Sequence, residues 1–272
     1  MRNLSISTAW NETVAFVGRH AGPLFTVAFA LIVLPGIVFQ VIGPGQPAPG
    51  EVPALGPWLL FIPVILVLSI VGTLAISALA LGRESVVGSA IAHAFRRCLP
   101  LIGASLLLAL VLLVVMVPLI LALGLAPEDF AAPSDEQAGR VFLAMLLVLL
   151  IFLVVWVRLI LMTPVAAAEG GGPIAIIRRS WELTSGRFWK LLGFALLLVI
   201  AAIVVMLVVT MIFGLLIFAV AGAPQPGSLA VLLMALVSGI LNAVFLVVFT
   251  TMVARIYVQL AGDPASTAAT FD

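Results

Sequence analysis

Residues 101–125 read LIGASLLLALVLLVVMVPLILALGL, 25 consecutive positions without a charged side chain. About 20 apolar residues suffice for a helix to cross the hydrocarbon core of a bilayer, and a helix satisfies every backbone polar group there. Working outward, five further runs qualify: 23–42, 58–81, 141–162, 191–220 and 229–257. The last two exceed the minimum, which predicts tilting or protrusion. Of the 272 residues, 64% are hydrophobic and 8% charged, against roughly 25% charged in soluble domains. A water-soluble fold is excluded. The expectation is an all-α polytopic membrane protein, a single integral membrane domain over residues 1–272 with six transmembrane helices.

Ten of the twelve basic residues fall on the side that holds both termini: Arg2, Arg19, Arg83, Arg96, Arg97, Arg178, Arg179, Arg187, Lys190 and Arg255. Arg140 lies opposite, beside the acidic loop with Glu128, Asp129, Asp135 and Glu136, and Arg158 falls inside a span. Positive charge marks the cytoplasmic side, so the termini are expected there. Residues 1–22 contain Asn3, Asn11, Glu12 and Arg19 in place of an unbroken apolar stretch, so they read as retained sequence and not as a secretory signal. Trp58 on the outer side, and Trp181, Trp189 and Tyr257 on the inner, fit interfacial aromatic belts.

Three amphipathic stretches on the terminal side precede spans one, three and five. In the first, Ile6, Trp10, Val14, Val17 and Ala21 recur at helical spacing, which predicts a helix in the headgroup plane over 1–22. The second sets Val87, Ile91, Ala94 and Cys98 opposite Ser89, His93, Arg96 and Arg97; the third sets Ile174, Ile177, Trp181, Thr184 and Phe188 opposite Arg178, Arg179 and Glu182. Each centres on an aromatic: Ala9-Trp10, Ala94-Phe95 and Ser180-Trp181, spaced by 85 and 86 residues. This predicts three repeats of interfacial helix plus helical hairpin, over 1–82, 83–168 and 169–261, with a short tail 262–272. Their common orientation relates them by an axis along the membrane normal.

Several function classes fall away. The net charge is +1 with no long Lys/Arg block, so no nucleic-acid partner is expected. A single cysteine, Cys98, excludes an internal disulfide, and no Cys/His pattern suggests a metal or cofactor. Neither a His-Glu-x-x-His helix, nor a Gly-x-Ser-x-Gly elbow, nor paired acids within a span is present, so no enzyme is expected. Gly43-Pro44-Gly45 and Gly170-Gly171-Gly172 lack the strand and helix of a nucleotide site and read as turns.

The stretch Ile177-Arg178-Arg179-Ser180-Trp181-Glu182-Leu183-Thr184-Ser185-Gly186-Arg187-Phe188-Trp189, followed by Leu191-Leu192-Gly193, resembles the membrane domain of the bacterial glycerophosphoryl diester phosphodiesterase membrane domain family. Pro164-Val165-Ala166 and Glu169 fit the same pattern. The resemblance is strongest over 155–198. It implies the membrane domain without the soluble catalytic domain, which would need an α/β barrel of about 250 residues. Members that consist of the membrane domain alone carry over no activity.

Two groups of residues are candidates for function. Arg96, Arg97, Arg178, Arg179, Trp181, Arg187 and Lys190 form a basic and aromatic ring suited to headgroup or partner contacts, or alternatively only set topology. Arg158, Asn242, Arg255 and Glu169 are the polar residues in or beside the spans. Arg158 either snorkels or pairs structurally, or it binds an anion; Arg255 stands as its counterpart near the end of span six. Asn242 either bonds between helices or lines a solute site. Glu169 is placed to tie the third connector to Arg158 or Arg255. Small residues such as Gly72, Ala75 and Ala80 allow close helix approach within one chain or between chains. Pro35, Pro63, Pro118 and Pro164 mark kinks. The leading expectation is a non-catalytic inner-membrane protein engaging lipid headgroups, anionic ones among them, or a membrane partner or second copy, in envelope or lipid homeostasis. The alternative is a transporter or flippase. Proton coupling is disfavoured because no Asp or Glu lies within a span.

Overall fold

The computed structural model describes residues 5–42, 56–130, 134–222, 225 and 228–262. Arg2, Glu51, the Pro/Gly link after residue 42 and the tail beyond Gly262 lie outside them. Among the described residues there is no strand, and six helices are long and apolar enough to cross a membrane. The protein is an all-α polytopic membrane protein. The first span comprises α1 (Ile6–Ala28), a π-helical segment (Phe29–Val33) and α2 (Leu34–Ile42). The second is α3 (Phe61–Ala80) and the third α4 (Val87–Ala122). The fourth divides into α5 (Asp135–Leu159) and a short α6 (Met162–Ala168). A connector, α7 (Pro173–Thr184), leads to α8 (Phe188–Ala221) and α9 (Leu229–Ala261).

Both ends of the described chain lie at one end of the bundle, where Ser5 N donates to Gln259 Oε1 at 3.1 Å. This basic end also holds Arg19, Arg83, Arg96, Arg178 and Lys190. At the other end, Ser134 N donates to Gln137 Oε1 at 3.1 Å to start α5, and Asp135 and Glu136 occupy its first turn, where the helix dipole favours acids. Asp129 accepts from Ala126 N and Gln137 Nε2, both at 2.7 Å.

The core forms where small residues let backbones approach. α3 packs on α1, α4, α6 and α9, and from Gly72 to Ala80 nearly every residue is buried. A Cβ on Gly72 would stand 2.8 Å from Ile32 Cδ1, and one on Gly239 of α9 would stand 2.8 Å from Val33 Cγ1. The π-helical segment, whose extra residue sits just before Pro35, is thus clamped between two glycines. Gly72, Ala75 and Ala80 therefore serve close approach within one chain.

The connectors differ from the expectation of three separate interfacial helices. α1 runs from Ile6 straight into the first span, bent only at His20 (φ −120°, ψ 26°). Ala9 and Thr13 bury against α9, so α1 docks on protein from its start instead of lying flat in the headgroup plane. α4 continues through Pro100 without a break. Only α7 stands alone, begun by Pro173 at its first position and parted from α8 by Ser185, Gly186 and Arg187. One register is nonetheless shared: Ala9, Ala94 and Ser180 are each 0% exposed, and the next residues, Trp10, Phe95 and Trp181, are 44%, 50% and 45% exposed.

Pro164 explains the split fourth span. Lacking an N–H, it cannot bond the carbonyl four residues back, at Ile160, and the helix turns at Ile160 and Leu161. Non-helical backbone at this depth must be buried in protein, and both residues are. α6 then inserts among α3, α4, α7 and α9. As a result α4 and α5, neighbours in sequence, meet at their outer ends around Leu125, Val141 and Ala144 and are held apart further in by α6 and α7.

Candidate functional site at the basic end

Three polar ties hold α6 and α7 in place. Ser180 Oγ and Thr184 Oγ1 donate to Arg158 O at 3.0 and 3.1 Å, capping the end of α5 where the helix breaks. His93 Nε2 donates to Ala167 O at 3.0 Å, which assigns that ring proton, since a carbonyl only accepts. Glu169, just past α6, accepts Arg179 Nε on both oxygens at 3.1 and 3.0 Å and the Tyr257 hydroxyl at 2.7 Å.

Two expectations are corrected by this node. Glu169 ties α7 through that helix's own Arg179, not through Arg158 or Arg255, because the glycines at 170–172 fold the chain back so that α7 passes over it. Tyr257 is buried at 2% exposure with its hydroxyl bonded inward, so it belongs to no interfacial belt. Beside the node, a crevice of about 280 Å³ is lined by Glu169, Gly170, Arg178, Arg179 and Glu182. Arg97 leans over it: a methyl on Gly170 would lie 3.5 Å from Arg97 Nη1. Arg178 pairs with Glu182 at 2.9 Å, and Arg179 approaches the same acid at 4.0 Å, as the spacing along the helix predicts.

Arg158 is arranged differently. Its guanidinium carbon lies 5.1 Å from the Trp181 ring centroid and 5.8 Å from that of Phe188, so aromatic faces hold it. Among the described residues no carboxylate comes within 4.0 Å of it. Its Nη1 is buried without a hydrogen-bond partner. Phe188 opens α8, so the positive end of that helix's dipole faces the same region. Lys190 and Trp189 are exposed close by, and Arg187 is half-buried at the helix start. Arg255 repeats the theme on α9: its guanidinium lies 4.7 Å from the Phe16 ring, and its Nε is buried and unpartnered.

Asn242 joins neither arginine nor Glu169. It lies 13 residues before Arg255 on α9, about 20 Å along the axis, and is exposed on the stripe that continues to Phe249. Phe249 stacks on Trp156 of α5 at 6.4 Å. α9 turns Ala243, Val247, Thr250 and Ala254 inward instead. The roles of His93, Tyr257, Ser180 and Thr184 were missed from sequence; Pro164 six residues after Arg158 was the one signal that the helix ends there and needs caps.

A protein-family match spans residues 6–260, and the family is described as Domain of unknown function (DUF7847). The chain belongs to this family. No curated protein and no solved structure matches it. The match takes in every span and both candidate groups, so the ties above lie inside the family's unit.

Proposed function

We propose that this DUF7847 protein is a non-catalytic protein of a bacterial inner membrane whose basic end faces the cytoplasm and engages anionic lipid headgroups in envelope or lipid homeostasis. The observation that carries the reading is Arg158, a cation fixed by Trp181 and Phe188 with no acid beside it and a donor unused. A buried donor without an acceptor is costly, and a lipid phosphate entering from the headgroup layer would supply one. The exposed aromatics Trp10, Phe95 and Trp181, each next to a buried small residue, support placing this end at the interface. They also support the threefold repeat of 1–82, 83–168 and 169–261.

The test is lipid retention. Protein in nanodiscs of phosphatidylglycerol and phosphatidylcholine is extracted, and its bound lipid is counted. Arg158→Gln is expected to lower retained phosphatidylglycerol about fivefold, the equivalent of about 1 kcal/mol for one basic residue at the surface. Arg178→Gln should change it less than twofold, since its charge is already met by Glu182. Equal retention by wild type and Arg158→Gln would sink the reading.

The split fourth span favours a second reading, a flippase or transporter, because broken helices accompany transport paths. The parted α4 and α5 would form its opening. Fluorescent phospholipid flipping in proteoliposomes at the rate of empty vesicles excludes it for lipids; flipping lost on Asn242→Ala or Arg158→Gln would put it first.

A further inference from the structure

The seam between α1 and α9 carries two hollows. At the basic end, one face of α1 (Asn11, Glu12, Ala15, Phe16 and Arg19) and Arg255 of α9 line an open crevice of about 350 Å³. Arg255 rests on Phe16 with its Nε unpartnered, and Arg19 spends only its Nε, on Ala15 O at 3.1 Å. Glu12 has no cation within 4.0 Å among the described residues. Two cations and one acid thus line one crevice with no ion pair within 4.0 Å between them. A bare anion would leave Glu12 opposed to it, whereas a ligand with a phosphate and a nearby ammonium satisfies all three charges.

Past the bend at His20, the first span presents Gly22, Thr26 and Phe29 one turn apart. There, with Phe25 and with Ile240 and Ala243 of α9, it bounds an apolar groove of about 540 Å³. Gly22 lies three residues from Arg19, about 5 Å along the axis, and a Cβ on Gly22 meets nothing within 4 Å. The charged crevice and the apolar groove thus both lie along the α1–α9 seam, Arg19 lining the first and Gly22, three residues on, the second.

We propose that this seam is a specific site for one phospholipid with a phosphoethanolamine headgroup. Its phosphate takes donors from Arg255 and Arg19, its ammonium donates to Glu12 and the Asn11 amide oxygen, and an acyl chain lies in the groove past Gly22. The site deepens the headgroup reading, and it rests on that reading only in setting this end of the bundle at headgroup depth. Its residues are separate from those around Arg158.

The experiment is native mass spectrometry from nanodiscs holding equal phosphatidylethanolamine, phosphatidylcholine and phosphatidylglycerol. Wild type is expected to keep one phosphatidylethanolamine in preference to phosphatidylcholine, whose methylated ammonium has no N–H for Glu12. Gly22→Leu fills the groove where the fold has room, and is expected to lower that retention about tenfold, equivalent to about 1.4 kcal/mol. Glu12→Gln should erase the preference over phosphatidylcholine while phosphate binding persists. Both variants should keep phosphatidylglycerol as wild type does, whereas Arg158→Gln should lose it and keep phosphatidylethanolamine, so the two readings fail separately. Soluble phosphoethanolamine at millimolar concentration should not displace the lipid, because it lacks the chain. Equal retention of the ethanolamine and choline lipids by wild type, full retention by Gly22→Leu, or displacement by the soluble headgroup would each overturn the site.

Discussion

The inner helices α1, α3 and α9 and the outer helices α4, α5 and α8 are built from similarly apolar sequence, yet the first set meet one another through small residues while α4 and α8 leave long apolar runs exposed. α3 and α9 meet the first span through Gly72 and Gly239, whereas Leu106, Leu110 and Leu113 of α4 and Val204, Leu207 and Met211 of α8 are all more than half exposed. In water the leucine-rich helices would form the core. In lipid, apolar side chains gain nothing by leaving the solvent, so close contact between small residues decides which helices come together. The outer helices are anchored chiefly at the basic end, by Ala90, Ala94, Leu101 and Ala104 on α4 and by Leu191 to Leu198 on α8.

The sharpest way to break this contrast is to overfill the inner seam. Gly72→Leu or Gly239→Leu puts a side chain where even a Cβ clashes, and should cost about 1–3 kcal/mol or more, read as a lower thermal unfolding midpoint in detergent. Gly193→Leu on α8, where a Cβ meets nothing within 4 Å, should leave the midpoint unchanged. Equal effects at the three glycines would contradict the packing account.

Next in size is the node that anchors the basic end. Glu169→Gln removes the charge and one of the two acceptor oxygens that Arg179 and Tyr257 share. Because Glu169 and Arg179 are 31% and 39% exposed, the expected loss is about 1–2 kcal/mol, at the lower end for bonds to charged groups. Hydrogen exchange should rise in α6 and α7 before α1 and α3. Ser180→Ala and Thr184→Ala each remove one donor to the same carbonyl of Arg158, so each alone should cost under about 1 kcal/mol while the double variant costs more than their sum. Strict additivity would mean the carbonyl does not depend on them. Smallest is Leu207→Ala on the lipid face of α8, expected within about 0.5 kcal/mol of wild type.

What the sequence displayed depends on range. The six spans were legible because each is a property of about 20 neighbouring residues, and α4 and α9 merely extend the expected runs by a few turns. The shared register at Trp10, Phe95 and Trp181 was legible as spacing; that the small residue before each aromatic is the buried one was not, since the apolar stripe beginning at Ile6, Trp10 and Val14 suggested the opposite face. Partner choice was least legible. Glu169 finds Tyr257 across 88 positions, and nothing local to residue 169 distinguishes Arg179 from Arg158. Asn242 was picked as a polar residue deep in a span, but which face of α9 turns inward is set by Gly239 and Ala243 meeting α1.

The contrast also separates two arginines on the same end. Arg179 has a carboxylate and is structural; Arg158 lies on aromatic faces with an unused donor and, among the described residues, no carboxylate within 4.0 Å. The most direct test is a structure determined in a lipidic phase doped with phosphatidylglycerol. The account predicts a lipid phosphate within hydrogen-bond distance of Arg158 Nη1, with the guanidinium still seated on Trp181 and Phe188. A guanidinium turned to a protein carboxylate, or seated as here with no lipid phosphate on it, would contradict it.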